Sequence, residues 1–494
     1  MLSAMMLAGA LAAAQCEQLK SFVAPNVTIT IAETIAAGPY PRGAQAPRAV
    51  SLPEHCRVAA VLKPSSDSHI EMELWLPTAT WNGKFQAVGN GGWAGTISFG
   101  AMAEALRNGY ATASTDTGHK STATASAEFA VGHPEKVTDF SYRAIHEMTV
   151  TSKALVAAFY ERPARLSYFN GCSTGGRQGM MEAQRFPEDY DGIVAGAPVY
   201  NQLRLSASQL ARQVEVLKDR SRMLPPAKIA LLADAVVAAC DANDGVKDGL
   251  VSNPGRCTFE PAALACKGGG DPASLDRPDC LTVGQVETVT RAYSGVTAGN
   301  REVVYPGSAR GFEAGLRMPD APMELHFAPF RYIGRQDAGW DPMSFDLDRD
   351  LALVLKNASE LEAVNPNLDR FKARGGKLLL YHGWADPGPA PANTIAYVTA
   401  VTKTMGGTQD RWMRLFMLPG VGHCGGGAGP DQADFMAALE RWREEGVAPD
   451  RINASRVSNG RVEMTRPLCP HPQVAQYTGT GSTNDAANFV CKAP

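Results

Sequence analysis

From Lys84 to Pro198 short apolar runs alternate with helical stretches, the pattern of a parallel sheet with helical connections. Lys84 to Gly89 reads as a strand opening into the loop Gly89-Asn90-Gly91-Gly92, and Tyr110 to Thr115 as a strand running into Asp116-Thr117-Gly118-His119. A helix is expected from Tyr142 to Phe159, a strand from Leu166 to Asn170, a helix from Arg177 to Arg185 and a buried strand from Gly192 to Ala197. After about Asn201 the pattern changes to helical segments separated by loops rich in Cys, Gly and Pro, as far as about Pro366. Lys377 to Tyr381 and Leu415 to Leu418 then resume the strand pattern. The expected architecture is an α/β sheet domain, residues 16–200 and 366–494, interrupted by an inserted domain at 201–365. At 494 residues the chain exceeds the ~250–300 residues at which one core stops growing, which agrees with two units.

Composition narrows the class. Apolar and charged fractions of 45% and 20% are those of an ordinary globular protein, and a formal charge of −3 gives no hint of the basic surface that nucleic acid or an anionic membrane would need. Met1 to Ala14 is an apolar run ending in Ala12-Ala13-Ala14, too short to span a bilayer and similar to a secretory signal, so residues 1–15 are expected to be a signal remnant. Gln15 stands where a lipoprotein signal needs a small residue before Cys16, which favours export, to the medium or the periplasm, over anchoring. Ten cysteines fit an oxidising compartment. Proximity suggests Cys16–Cys56, Cys240–Cys257, Cys266–Cys280 and Cys469–Cys491, although spacing alone does not determine connectivity. Asn26, Asn357 and Asn453 begin glycosylation sequons, which matter only in a eukaryotic host.

The chemistry centres on Gly171-Cys172-Ser173-Thr174-Gly175, a G-x-S-x-G elbow, and on Gly422-His423-Cys424-Gly425. If Cys172 and Cys424 are bonded, Ser173 and His423 must be near neighbours, because a disulfide holds its Cα atoms about 4.4–6.8 Å apart. A serine becomes nucleophilic when a histidine stands at hydrogen-bond distance. Asp386, just past the strand before His382-Gly383-Trp384-Ala385-Asp386-Pro387, completes the order Ser173, Asp386, His423 expected of an α/β-hydrolase. Each residue follows a strand's carboxyl end, where α/β sheets place ligand chemistry. The backbone N–H of Thr174 and that of Gly91 or Gly92 are the expected oxyanion donors, Gly92 being favoured.

A second group is Asp241-Ala242-Asn243-Asp244-Gly245-Val246-Lys247-Asp248-Gly249-Leu250, bracketed by Cys240 and Cys257. Asp241, Asp244 and Asp248 with the carbonyls of Val246 and Leu250 offer the hard oxygen ligands that calcium takes. The spacing is not that of an EF-hand, and a place inside the insertion makes the metal structural. No organic cofactor is expected. Phe327, Phe330, Arg331, Tyr332, Trp340 and Phe345 form an aromatic group that packs a core or lines a pocket, with Phe330, Arg331 and Trp340 the candidates for substrate contact.

The elbow extended to Gly179, the His382–Pro387 and Gly422–Cys424 segments, Gly89-Asn90-Gly91-Gly92-Trp93, Asp116–His119 and the Asp241–Leu250 loop together resemble the tannase and feruloyl esterase family, from Cys16 to Cys491. The resemblance implies a secreted serine esterase with a calcium-bearing lid and a disulfide joining the Ser and His loops. It implies small aromatic ester substrates: hydroxycinnamates, gallates or mono(2-hydroxyethyl) terephthalate. Thr174 and Trp93 are more like the feruloyl esterases than the terephthalate-ester enzymes. A different class, a catalytically silent secreted protein that binds polysaccharide or lignin fragments, keeps the same fold but has no use for an intact Ser-His-Asp set.

Overall fold

Nine strands build the central sheet of this computed structural model, which describes residues 14–40, 50–121, 125–267 and 277–493. They are β1 (Val27–Ile35), β2 (His55–Leu62), β3 (Ile70–Pro77), β4 (Lys84–Val88), β5 (Ala111–Thr115), β6 (Leu166–Cys172), β7 (Gly192–Gly196), β8 (Lys377–Gly383) and β9 (Met413–Leu418). Their spatial order is β1-β2-β3-β5-β4-β6-β7-β8-β9. From β5 to β9 every neighbour pair is parallel, whereas β1, β2, β3 and β5 pair antiparallel. The expectation begins the sheet at Lys84 and omits β1 to β3. The edge strand β1, Val-Thr-Ile-Thr-Ile-Ala-Glu-Thr-Ile, is mostly half-exposed and so lacks a continuous apolar run.

β4, β5 and β7 are buried along their whole length because helices cover both faces. The longer helices are α1 (Phe99–Arg107), α2 (Ala144–Tyr160), α3 (Thr174–Arg185), α4 (Gln202–Lys218), α5 (Pro226–Cys240), α6 (Val283–Ser294), α7 (Leu347–Ala358), α8 (Pro391–Met405) and α9 (Phe435–Glu445). Met148, Leu155, Met180 and Val401 of α2, α3 and α8 pack one face, while Leu439 and Trp442 of α9 pack the other against Tyr168 and Leu379. This is an α/β-hydrolase fold.

Between β7 and β8 lie α4 to α7. They bury two apolar groups of their own, one around Leu210, Phe330 and Val354 and one around Leu232, Val236, Leu281 and Val289. The first also takes in Trp93 and Phe140, so the inserted segment is seated on the loops of the sheet domain. All ten cysteines lie in described segments and are paired as Cys16–Cys56, Cys172–Cys424, Cys240–Cys257, Cys266–Cys280 and Cys469–Cys491. No helix among the described residues is long and apolar enough to cross a membrane. Residues 1–13 of the expected signal segment fall outside the described residues.

Candidate active site

β6 ends at Cys172 and α3 begins at Thr174, leaving Ser173 alone in the turn with φ 64° and ψ −122°. A non-glycine residue rarely holds such angles, and the surroundings over-determine it. The Ser173 N–H donates to the Gly196 carbonyl at 2.9 Å, and its own carbonyl accepts from Arg177 and Val199 at 3.0 and 3.2 Å. A Cβ on Gly171 would lie 2.6 Å from the Gly175 carbonyl carbon, so the elbow needs glycine there.

The loops after β8 and β9 bring the other two side chains to this turn. Ser173 Oγ and His423 Nε2 are 2.9 Å apart, and His423 Nδ1 lies 2.7 Å from Asp386 Oδ2. The Cys172–Cys424 bond, with its Cα atoms 5.9 Å apart, ties the elbow to the His423 loop. Asp386 is fully buried, whereas the His423 side chain is 34% exposed and faces a cleft. Burial alone would raise the Asp386 carboxyl, but hydrogen bonds from His382 and His423 outweigh it and hold the group below its ordinary range.

His382 is a residue that motif reading passes over. It is fully buried, with Nε2 3.2 Å from Asp386 Oδ2 and 3.0 Å from the Pro389 carbonyl, and Nδ1 2.8 Å from Thr394 Oγ1. Two acceptors at Nε2 place the proton there, leaving Nδ1 to accept from the Thr394 hydroxyl. Asp386 Oδ2 therefore receives two imidazole N–H groups, and Oδ1 receives the Gly388 amide at 2.8 Å.

The glycine loop is clamped against α3. The Thr174 hydroxyl donates to the Gly92 carbonyl at 2.6 Å, and the Gly175 amide donates to the Asn90 carbonyl at 2.8 Å. Gln178 accepts from the Asn90 amide and donates to its side chain, both at 3.0 Å. The N–H of Thr174, at the first position of α3, has no carbonyl one turn back to bond. Behind this loop, burial pushes Asp116 up to about 7 and His119 down to about 4, the His119 ring stacking on Phe129 at 3.7 Å.

A sequence model described as "Tannase and feruloyl esterase" matches residues 56–314 and 308–492. The chain belongs to the tannase and feruloyl esterase family. It is 35% identical to an uncharacterized esterase of Xanthomonas campestris, over 98% of this chain and 92% of that one. It is 32% identical to the mono(2-hydroxyethyl) terephthalate hydrolase of Piscinibacter sakaiensis, over 97% and 92%. The crystal structure of feruloyl esterase B from Aspergillus oryzae superimposes with a TM-score of 0.90 at 30% identity, covering 97% of this chain and 100% of that chain. As a member of this family the protein is a carboxylic ester hydrolase.

Two clefts meet at His423. One of about 340 Å3 is bordered by Val251, Phe312, Trp384 and Pro387, and one of about 300 Å3 by Gln209, Arg212, Leu316, Met318 and His326. Phe330, Arg331 and Trp340 border neither. Phe330 is 1% exposed inside the apolar group of α4 and α7, and Arg331 donates to the Trp340 carbonyl at 3.1 and 2.7 Å while stacking on Phe327. Phe330 and Trp340 pack inside the insertion, where their large rings are withdrawn from water.

Along the acidic loop Asp241 accepts the amides of Asp248 and Gly249, each at 3.0 Å, and Asp244 that of Val246 at 3.0 Å. Asp248 pairs with the buried Arg466 and accepts the Leu250 amide at 3.1 Å. Burial, and then the neighbouring carboxylates, push Asp248 up to about 6 in spite of Arg466, and burial pushes Asp244 up as well. Among the described residues, the group of three metal-capable side chains whose ligand atoms lie within 4.8 Å of one another is elsewhere, at His146, Glu182 and Asp189.

Proposed function

We propose that this chain is a secreted or periplasmic serine esterase that hydrolyses esters of aromatic carboxylic acids, hydroxycinnamates first among them, through an acyl-enzyme on Ser173. The contact between Ser173 Oγ and His423 Nε2 at 2.9 Å carries this reading. As Oγ attacks the ester carbonyl, its proton passes to Nε2. The imidazolium so formed is stabilised by Asp386 through Nδ1 and returns the proton to the departing alcohol. Water, deprotonated by the same Nε2, then cleaves the acyl-enzyme. The N–H groups of Thr174 and Gly92 face the negative oxygen of each tetrahedral intermediate. Five disulfides support export.

Residues 201–365 act in this reading as the lid over the clefts, and the Asp241–Leu250 loop as a structural calcium site. The donor set fits the ion, being all hard oxygen with two carboxylates pushed up by burial that a cation would relieve. The holding residues would be Asp241, Asp244, Asp248 and the carbonyls of Val246 and Leu250. Ser173→Ala tests the mechanism: methyl ferulate hydrolysis should fall by several orders of magnitude with the circular dichroism spectrum unchanged. Turnover like that of the wild type would remove Ser173 as nucleophile.

A further inference from the structure

Three side chains able to ligate a metal meet where α2, α3 and the segment leading into β7 pack together. His146 of α2, Glu182 of α3 and Asp189 each offer one ligand atom, and these atoms lie within 4.8 Å of one another. None of the three borders the clefts at His423. Glu182 is 1% exposed, and among the described residues no N–H or O–H donates to either of its carboxylate oxygens. It faces the Asp189 carboxylate, which is a second acceptor, so the two can be joined only through a shared proton or a shared cation. Asp189 is itself buried, and its Oδ2 lies 2.7 Å from His146 Nδ1. The nearby ammonium of Lys153 stands 3.9 Å from Asp189 Oδ1 and donates to the Asp189 backbone carbonyl, and among the described residues it forms no hydrogen bond to Glu182. Arg374 donates to the carbonyls of Pro187 and Tyr190, at 2.7 Å each.

A carboxylate withdrawn from water is costly unless it is paired or coordinates a metal. One imidazole nitrogen with two carboxylates is a donor set for zinc-class ions, whereas calcium takes oxygen alone. We propose that His146, Glu182 and Asp189 bind a divalent transition-metal ion, zinc first among them, as a structural clamp between α2, α3 and the start of β7. Ligand atoms about 2.0–2.2 Å from a tetrahedral zinc stand roughly 3.3 Å apart, so the His146–Asp189 contact opens by about half an ångström as the ion enters. The imidazole is held in place beforehand by its stacking on Phe186, with ring centres 3.8 Å apart. The His146 side chain is 28% exposed, which leaves a way in for the ion and room for water as the fourth ligand. The clamp differs from the Asp241–Leu250 loop in place and in chemistry, because that loop offers only oxygen donors. It holds the helix that leaves the elbow without touching Ser173, so its effect is on stability, and it does not depend on which ester the enzyme cleaves.

Untagged protein, stripped with chelator and returned to excess calcium so that the acidic loop is not left wanting, is titrated with zinc sulfate. Equilibrium dialysis with metal analysis should find one zinc retained per chain, and zinc should raise the melting temperature by a few degrees. His146→Phe keeps a ring against Phe186 and Glu182→Gln keeps the side chain's shape; each should weaken zinc binding at least about tenfold and remove the melting shift. Glu182→Gln, freed of a buried charge, should melt at least as high as the stripped wild type. X-ray absorption at the zinc edge of the wild type decides the site even if a variant fails to fold. It should show one imidazole and oxygen neighbours at about 2.0–2.2 Å and no sulfur, all ten cysteines being paired. No zinc retained after dialysis overturns the clamp and leaves Glu182 and Asp189 sharing a proton. Zinc held equally by the wild type and both variants, or a shell with several imidazoles or none, is an adventitious ion only and overturns the assignment as well.

Discussion

Replacing His382 by phenylalanine tests whether the buried second imidazole sustains the triad carboxylate. The change keeps an aromatic ring of similar shape but removes the N–H that reaches Asp386 Oδ2 at 3.2 Å and the Pro389 carbonyl at 3.0 Å. Asp386 is fully buried, so no solvent replaces the lost donor. A hydrogen bond to a charged group is worth about 1.5–3 kcal/mol, and a contact this long and shared between two acceptors belongs at the lower end. One pKa unit corresponds to about 1.4 kcal/mol, so the carboxyl should rise by about one unit. Its depressed value stabilises the fold above the unfolded carboxylate pKa and loses that contribution as pH falls through the folded value; the substitution shrinks the contribution. The assay is the pH dependence of kcat/KM on p-nitrophenyl acetate and methyl ferulate. The acidic limb, which reports the His423–Asp386 pair as a unit, should move up by about one unit, and kcat/KM near neutrality should fall about tenfold. His382→Gln, whose amide nitrogen can occupy the place of Nε2, should recover part of both. A phenylalanine variant within twofold of the wild type, with its acidic limb unmoved, would refute the reasoning.

Removing the elbow disulfide with Cys172→Ala and Cys424→Ala should lower kcat/KM about 100-fold at a temperature where circular dichroism still finds the protein folded, since small misplacements at a reacting centre cost that much. Peptide mapping under non-reducing conditions that finds either thiol free would end this idea. Chelation should lower the melting temperature by removing calcium from the Asp241–Leu250 loop, and Asp244→Ala should melt lower and no longer respond to chelator or added calcium; dialysed protein without bound calcium would count against it. His119, near 4 when folded against an ordinary 6.5, binds fewer protons than in the unfolded chain, so its contribution is lost as pH falls from about 6.5 towards 4, by as much as about 3 kcal/mol. His119→Phe, which has no group to protonate there, should lose less stability than the wild type between pH 7 and 5, as read by urea titration at each pH.

What was legible in the sequence is what local geometry dictates. The G-x-S-x-G turn, Asp386 and His423 each follow an apolar run, because a strand end and the sharp turn after it leave their mark within a few neighbouring residues. The sheet from β4 onward was legible for the same reason: strands buried on both faces read as apolar runs. The tertiary structure alone decided which distant side chains meet. Gln178 locks Asn90, and the Thr174 hydroxyl reaches the Gly92 carbonyl across loops 82 positions apart, contacts with no local signature. The sequence pattern left Phe330, Arg331 and Trp340 open to a core or a pocket, and folding turned them into the insertion, away from the clefts at His423. Which side chains touch is a property of surroundings in space and not of neighbours along the chain, so contacts of this kind leave no local pattern to read.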